Sequence, residues 1–103
     1  MKSVIRFLGA GALSAFCSLP LWAQDNAATA GMAGTLGCMM CHNADVKIVG
    51  PAFKAVAEKY KDQADAQDKL FQKVKHGGQG TWGRVPMPAH NQVPDEKITA
   101  LVQ

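Results

Sequence analysis

The stretch Cys38-Met39-Met40-Cys41-His42 constrains this chain more than any other. On a helix or a tight turn, residues at positions i, i+3 and i+4 lie on one side, so the two cysteines and the histidine project together. Such a group can bind zinc, exchange a disulfide or attach a haem through both thiols, with the histidine reaching the iron. The rest of the chain decides among these three chemistries.

The first residues predict export. Lys2 and Arg6 give a positively charged start, and residues 7–19 form an apolar run. Ala23 then offers the small residue that precedes a cleavage site. This pattern is typical of a secretory signal peptide over residues 1–23, and the run is short for a membrane span. We therefore expect a mature domain over residues 24–103 in the periplasm, an oxidising compartment.

The mature chain has few residues with which to build a hydrophobic core. Its aromatic residues are Phe53, Tyr60, Phe71 and Trp82, and its only two cysteines stand in the CMMCH stretch, so no disulfide can span the fold. Nine Lys and Arg against eight Asp and Glu leave no basic footprint for nucleic acid. A domain this small usually needs a metal or a cofactor to stabilise it.

Hydrophobic periodicity predicts helices and no strand. Helices are expected over residues 27–36, 52–61 and 65–76, and a last one from Pro94 towards the chain end. Residues 77–93 contain several glycines and prolines and have no helical period, so we expect a long functional loop there. The sequence therefore predicts an all-α domain of about four helices.

Haem attachment is the interpretation that these observations favour. Zinc requires four ligands, and neither a second cysteine pair nor a closely spaced histidine pair is present, since His76 and His90 are far apart. A thioredoxin-like dithiol needs a βαβ context that the sequence lacks. One covalently attached haem c, with its iron, would complete the core. The apolar residues expected to surround it are Phe53, Tyr60, Leu70, Phe71, Val74, Ile98 and Leu101.

Met87 is the best candidate for the second axial ligand of the iron. In Val85-Pro86-Met87-Pro88 the prolines forbid a helix and extend the residues before them, which holds the thioether on a stiff segment. His76 and His90 could also ligate, and an open position is a further alternative. Two protein ligands favour electron carriage, whereas an open position favours peroxidase-like or gas-binding chemistry.

Several motifs together resemble those of bacterial class I cytochromes c, in particular the small cytochrome c-551/c-552 group. They occur in this order: CMMCH, Gly50-Pro51, Gln79-Gly80-Thr81-Trp82-Gly83 and Pro86-Met87-Pro88. The resemblance covers nearly all of the mature chain. It implies a small class I cytochrome c fold, with thioether links at Cys38 and Cys41 and with His42 and Met87 as the axial ligands.

The resemblance also implies supporting contacts around the haem. The carbonyl of Pro51 would accept a hydrogen bond from the His42 ring. Trp82 would donate to a haem propionate. Lys73 would lie near a propionate, with a solvated helix position as its alternative. Asn91 is a candidate for the amide that touches the methionine sulfur.

The expected function is that of a mono-haem electron carrier, not an enzyme, in a respiratory chain. The implied partners are redox proteins, for example a bc1-type complex as donor and a terminal oxidase, nitrite reductase or peroxidase as acceptor. Docking is expected at a small apolar patch ringed by lysines such as Lys47 and Lys75. The alternatives are a haem peroxidase or gas sensor with a labile Met87, and a fixed subunit of a larger oxidoreductase. Relative to the family, the final helix is expected to be truncated at Gln103, which would weaken its packing on the first helix.

Overall fold

The computed structural model describes the backbone of residues 21–103 and the side chains of residues 28–103. The predicted signal peptide, residues 1–23, therefore lies almost wholly outside the described residues. The elements are α1 (Leu21–Thr35), a 3-10 turn (Cys38–Met40), α2 (Phe53–Tyr60), α3 (Ala66–His76), β1 (Gly78–Gly80), β2 (Gly83–Met87) and α4 (Asp95–Leu101). Within this part of the chain, no helix has the length and apolar character needed to span a bilayer.

The three helices after the CMMCH stretch lie where the periodicity predicts them. Ala52 and Asp65 are the N-cap residues of α2 and α3, although the Asp65 side chain makes no capping hydrogen bond. Gly77 ends α3 with φ at 72°, a left-handed value that glycine adopts without a steric penalty. Asp95 and Glu96 occupy the first turn of α4, where carboxylates interact favourably with the helix dipole.

The first helix is longer than predicted. It begins at Leu21, well before the expected Ala27, and it ends at Thr35. The sequence pattern marked only the alanine-rich part, whereas the residues before it also tolerate a helix. Gly37, with φ at 80°, then takes the left-handed conformation that turns the chain into the 3-10 turn.

The hairpin of β1 and β2 shows that the prediction of a chain without strands is wrong. The two strands pair antiparallel, with Gly78 opposite Met87 and Gly80 opposite Gly83, and the register shifts between these pairs. Pro86 is tolerated in β2 because a two-stranded sheet leaves one side of each strand unpaired. The fold is thus mostly helical with one small sheet.

The buried core is small. Helix α4 packs against both α1 and α3. The buried apolar residues of the described part are Ala33, Ala52, Tyr60, Val93 and Ile98. Of the apolar residues expected to surround a haem, Leu70, Phe71, Val74 and Leu101 are only half-buried and Phe53 is exposed. Among the residues whose side chains are described, the protein therefore covers few large apolar ones, as expected for a domain whose core includes a cofactor.

Candidate functional site

A tight turn brings Cys38, Cys41 and His42 together. The carbonyl oxygen of Cys38 accepts the backbone N–H of Cys41 at 3.2 Å and that of His42 at 2.9 Å. These three residues are half-buried, whereas Met39 and Met40 are 42% and 81% exposed. The turn thus places the two thiols and the imidazole on the protein side and the two thioethers in solvent.

Both thiols of the turn are free. Burial raises the pKa of the Cys38 thiol, and a hydrogen bond with its own backbone opposes that shift. Among the described residues, no group of three or more His, Cys, Asp and Glu side chains could hold a metal ion. The donor set therefore fits covalent attachment of a haem better than a zinc site made by side chains.

Three contacts fix the imidazole ring of His42. Its Nδ1 lies 2.7 Å from the carbonyl oxygen of Pro51. The ring of Phe53 stacks on it, with centroids 5.1 Å apart and planes inclined by 17°. The backbone of Gly50 approaches so closely that a Cβ built there would lie 2.6 Å from Cε1 of the ring. Because a carbonyl can only accept, Nδ1 carries the proton, and Nε2 keeps its lone pair for a metal.

The loop after the turn is itself hydrogen-bonded, and this returns Gly50 to the histidine. The side chain of Asn43 accepts the backbone N–H groups of Asp45 at 2.9 Å and Val46 at 3.2 Å. At the end of the loop, Gly50 donates its N–H to the carbonyl of Cys41 at 2.7 Å. Such local side-chain bonds replace regular secondary structure and make the loop a defined support for His42.

Met87 lies half-buried at the end of β2, paired with Gly78. The backbone of Gly77 lies against it, since a Cβ built on Gly77 would be 2.5 Å from the Met87 carbonyl oxygen and 2.9 Å from the Ala89 nitrogen. The end of α3 and the hairpin therefore fix the backbone on both sides of the thioether. Glycine is required at residue 77 for its left-handed φ and for this close approach.

The two other histidines differ in their surroundings. His76 is exposed at the end of α3. His90 is half-buried, and its backbone N–H donates to the carbonyl of Val74 at 2.9 Å. The Nδ1 atom of His90 is buried and has no hydrogen-bond partner among the described residues. Of the two alternative ligands, His90 is thus half-buried with a ring nitrogen that is unpaired within the described part of the chain, whereas His76 lies at the surface.

Trp82 and Lys73 both border the hairpin. Trp82 is 39% exposed in the turn between the strands, and the Lys59 ammonium lies 5.5 Å from its ring centroid. Lys73 is half-buried, and its Nζ lies 2.8 Å from the position that a Cβ on Gly78 would occupy. The Lys73 side chain thus lies beside Gly78 of the hairpin. The roles of both residues towards a propionate stay predictions.

Lys75 does not belong to an exposed ring of docking lysines, contrary to the prediction from the sequence. Its side chain is only 21% exposed, and its ammonium forms a 2.7 Å ion pair with Asp95. It also donates to the carbonyl oxygens of Asn91 at 3.2 Å and Val93 at 3.1 Å. No sequence pattern signals this arrangement, because the acceptors lie on a different segment.

Comparison with known proteins decides the family. The model of the cytochrome c family matches residues 27–103. This chain belongs to the cytochrome c family. Proteins of this family carry a covalently attached haem c with iron, so haem c is the cofactor, and the residues of the attachment turn fit it.

Individual cytochromes c confirm the resemblance to the c-551/c-552 group. The chain is 54% identical over 66 residues to cytochrome c-551 of Allochromatium vinosum, covering 64% of this chain and 70% of that protein. It is 38% identical to cytochrome c-551 of Stutzerimonas stutzeri over 102 residues, covering 99% and 92%. The crystal structure of Nitrosomonas europaea cytochrome c552 matches with a TM-score of 0.69 at 42% identity, covering 71% of this chain and 90% of that one. The expected small class I cytochrome c fold is therefore confirmed.

Proposed function

We propose that this protein is a periplasmic mono-haem electron carrier whose haem iron is ligated by His42 and Met87. The observation that carries the proposal is the 2.7 Å hydrogen bond from His42 Nδ1 to the Pro51 carbonyl, in a chain of the cytochrome c family. That bond leaves Nε2 available to a metal. When bound, haem c supplies an iron that accepts and releases one electron.

Four residues of the chain would hold the haem, and their roles differ. Cys38 and Cys41 are the two thiols that would form the thioether links. His42 would supply the nitrogen ligand, in an orientation that Pro51 fixes. Met87 would supply a sulfur ligand, which favours the reduced state and raises the reduction potential. A haem iron held by both His42 and Met87 would be open to a small molecule only where Met87 is displaced.

An exposed apolar surface beside the attachment turn supports brief docking to redox proteins. Met40 is 81% exposed, and Val46, Ile48 and Val49 in the following loop are 57%, 47% and 53% exposed. Lys47 lies exposed within this stretch. Apolar surface with adjacent charge suits transient contact with a donor such as a bc1-type complex and with an oxidase or reductase as acceptor.

Carbon monoxide binding to the reduced protein tests this proposal. The wild type should bind it only slowly at neutral pH, because Met87 occupies the site, whereas Met87→Ala should bind it promptly. Met39→Ala is the matched control, since Met39 is 42% exposed on the attachment turn, and it should behave as the wild type. Prompt binding by the wild type would favour a peroxidase or gas sensor and overturn the carrier proposal.

A further inference from the structure

The segment that follows Met87 is fastened to helix α3. We call residues 88–94, which connect β2 to α4 without regular secondary structure, the ligand loop. Its His90 N–H donates to the Val74 carbonyl at 2.9 Å, and Val93 is only 5% exposed. The loop is thus attached near its middle and packed near its end, although its backbone forms no ladder of its own.

Lys75 adds the charged part of this attachment. The ammonium reaches three acceptors: the carbonyl oxygens of Asn91 at 3.2 Å and Val93 at 3.1 Å, and the Asp95 carboxylate at 2.7 Å. A lysine has three N–H donors, so these partners account for all of them. A single side chain of α3 therefore holds the ligand loop and the first turn of α4 together.

The surroundings make these bonds stronger than those of a surface lysine. The Lys75 side chain is 21% exposed, whereas that of Lys69, which precedes it in α3, is 50% exposed in its ion pair with Asp65. Water competes less for a partly buried ammonium, and hydrogen bonds to charged groups are stronger than neutral ones. Without the ammonium, two loop carbonyls and the Asp95 carboxylate would lose their shared donor.

We infer that Lys75 is a positioning residue for the methionine ligand: it holds the ligand loop closed and so keeps Met87 in place. This inference rests on the proposed ligation by Met87. An external ligand must wait for Met87 to leave, so its apparent affinity scales with the population of the open loop. Lys75 lowers that population through backbone carbonyls that lie beyond the sulfur-bearing residue, without itself touching the iron.

Imidazole binding to the oxidised holoprotein measures the open population. Lys75→Met keeps an unbranched side chain one atom shorter and removes the ammonium, and it should raise the apparent affinity for imidazole about tenfold. Lys75→Arg restores a charged donor and should recover at least half of the change on a logarithmic scale. Lys69→Met removes an exposed lysine of the same helix and should stay within twofold of the wild type.

A second control separates loop opening from general loss of stability. Ala33→Gly removes a buried methyl group from α1, a different element from the ligand loop, and should lower the urea midpoint without changing the imidazole affinity. An imidazole affinity of Lys75→Met within twofold of the wild type, or equal in Lys75→Met and Lys75→Arg, would overturn the inference. A wild-type protein without a methionine–iron charge-transfer band would instead refute the proposed ligation.

Discussion

Replacing Gly50 with alanine would place a methyl group against the imidazole ring of His42. The added Cβ would lie 2.6 Å from Cε1, 3.0 Å from Nδ1 and 3.1 Å from Nε2. These separations are shorter than carbon–carbon and carbon–nitrogen contact distances, so either the ring or the loop must move. Because Phe53 stacks on the same ring, the ring can move only by disturbing this stack or the bond to Pro51.

The cost follows from these contacts. Overpacking of this kind costs about 1–3 kcal/mol, and weakening the His42–Pro51 hydrogen bond adds about 1 kcal/mol. We therefore expect Gly50→Ala to lower the free energy of unfolding by about 2–4 kcal/mol. With a urea dependence of about 1 kcal/mol per molar for a small domain, the midpoint should fall by roughly 2 M or more.

Urea unfolding of the holoprotein, followed by circular dichroism, measures this loss. Gly34→Ala is the matched control, because Gly34 lies in α1 and a Cβ there would have no neighbour within 4 Å. That substitution should be neutral or stabilise by about 0.5–1 kcal/mol, since alanine is the better helix former. Equal midpoints for Gly50→Ala and Gly34→Ala would refute the claim that Gly50 supports the ring.

Two further substitutions test the ligand segment and the core. Gly77→Ala should lower the free energy of unfolding by more than about 2 kcal/mol and weaken the methionine–iron charge-transfer band. The reason is that φ is 72° and that the new Cβ would lie 2.5 Å from the Met87 carbonyl oxygen. An unchanged band and an unchanged urea midpoint would contradict this. Ile98→Ala should cost about 2–5 kcal/mol in urea unfolding, because Ile98 is 0% exposed at the packing of α4; a loss as small as that of an exposed α4 residue such as Thr99→Ala would count against it.

The helices could be predicted from the sequence because each carries both a pattern and a boundary. Residues 65–76 combine an apolar face with Gly77 as a stop, and the observed helix spans Ala66–His76. The hairpin gave no comparable signal. Its strands are short and rich in glycine, all but their end residues Gly78 and Met87 are exposed, and no alternation of buried and exposed residues marks them.

The sequence indicated the chemistry of the site more fully than the hydrogen bonds that position its residues. The spacing of Cys38, Cys41 and His42 indicates haem attachment because it encodes one side of a turn. The hydrogen bond between His42 and Pro51 was predicted from the family resemblance, because residue spacing alone does not show which carbonyl oxygen accepts from the ring. The three bonds of Lys75 join segments far apart in the chain, so only the structure could show them.

The optical spectrum of the purified protein in both oxidation states tests the central claim most directly. We expect haem absorption that stays with the protein after denaturation and acid extraction, because the thioether links are covalent. We also expect a methionine–iron charge-transfer band in the oxidised form, absent from Met87→Ala. Extractable haem, or a band that survives in Met87→Ala, would contradict an electron carrier whose haem is held by Cys38, Cys41, His42 and Met87.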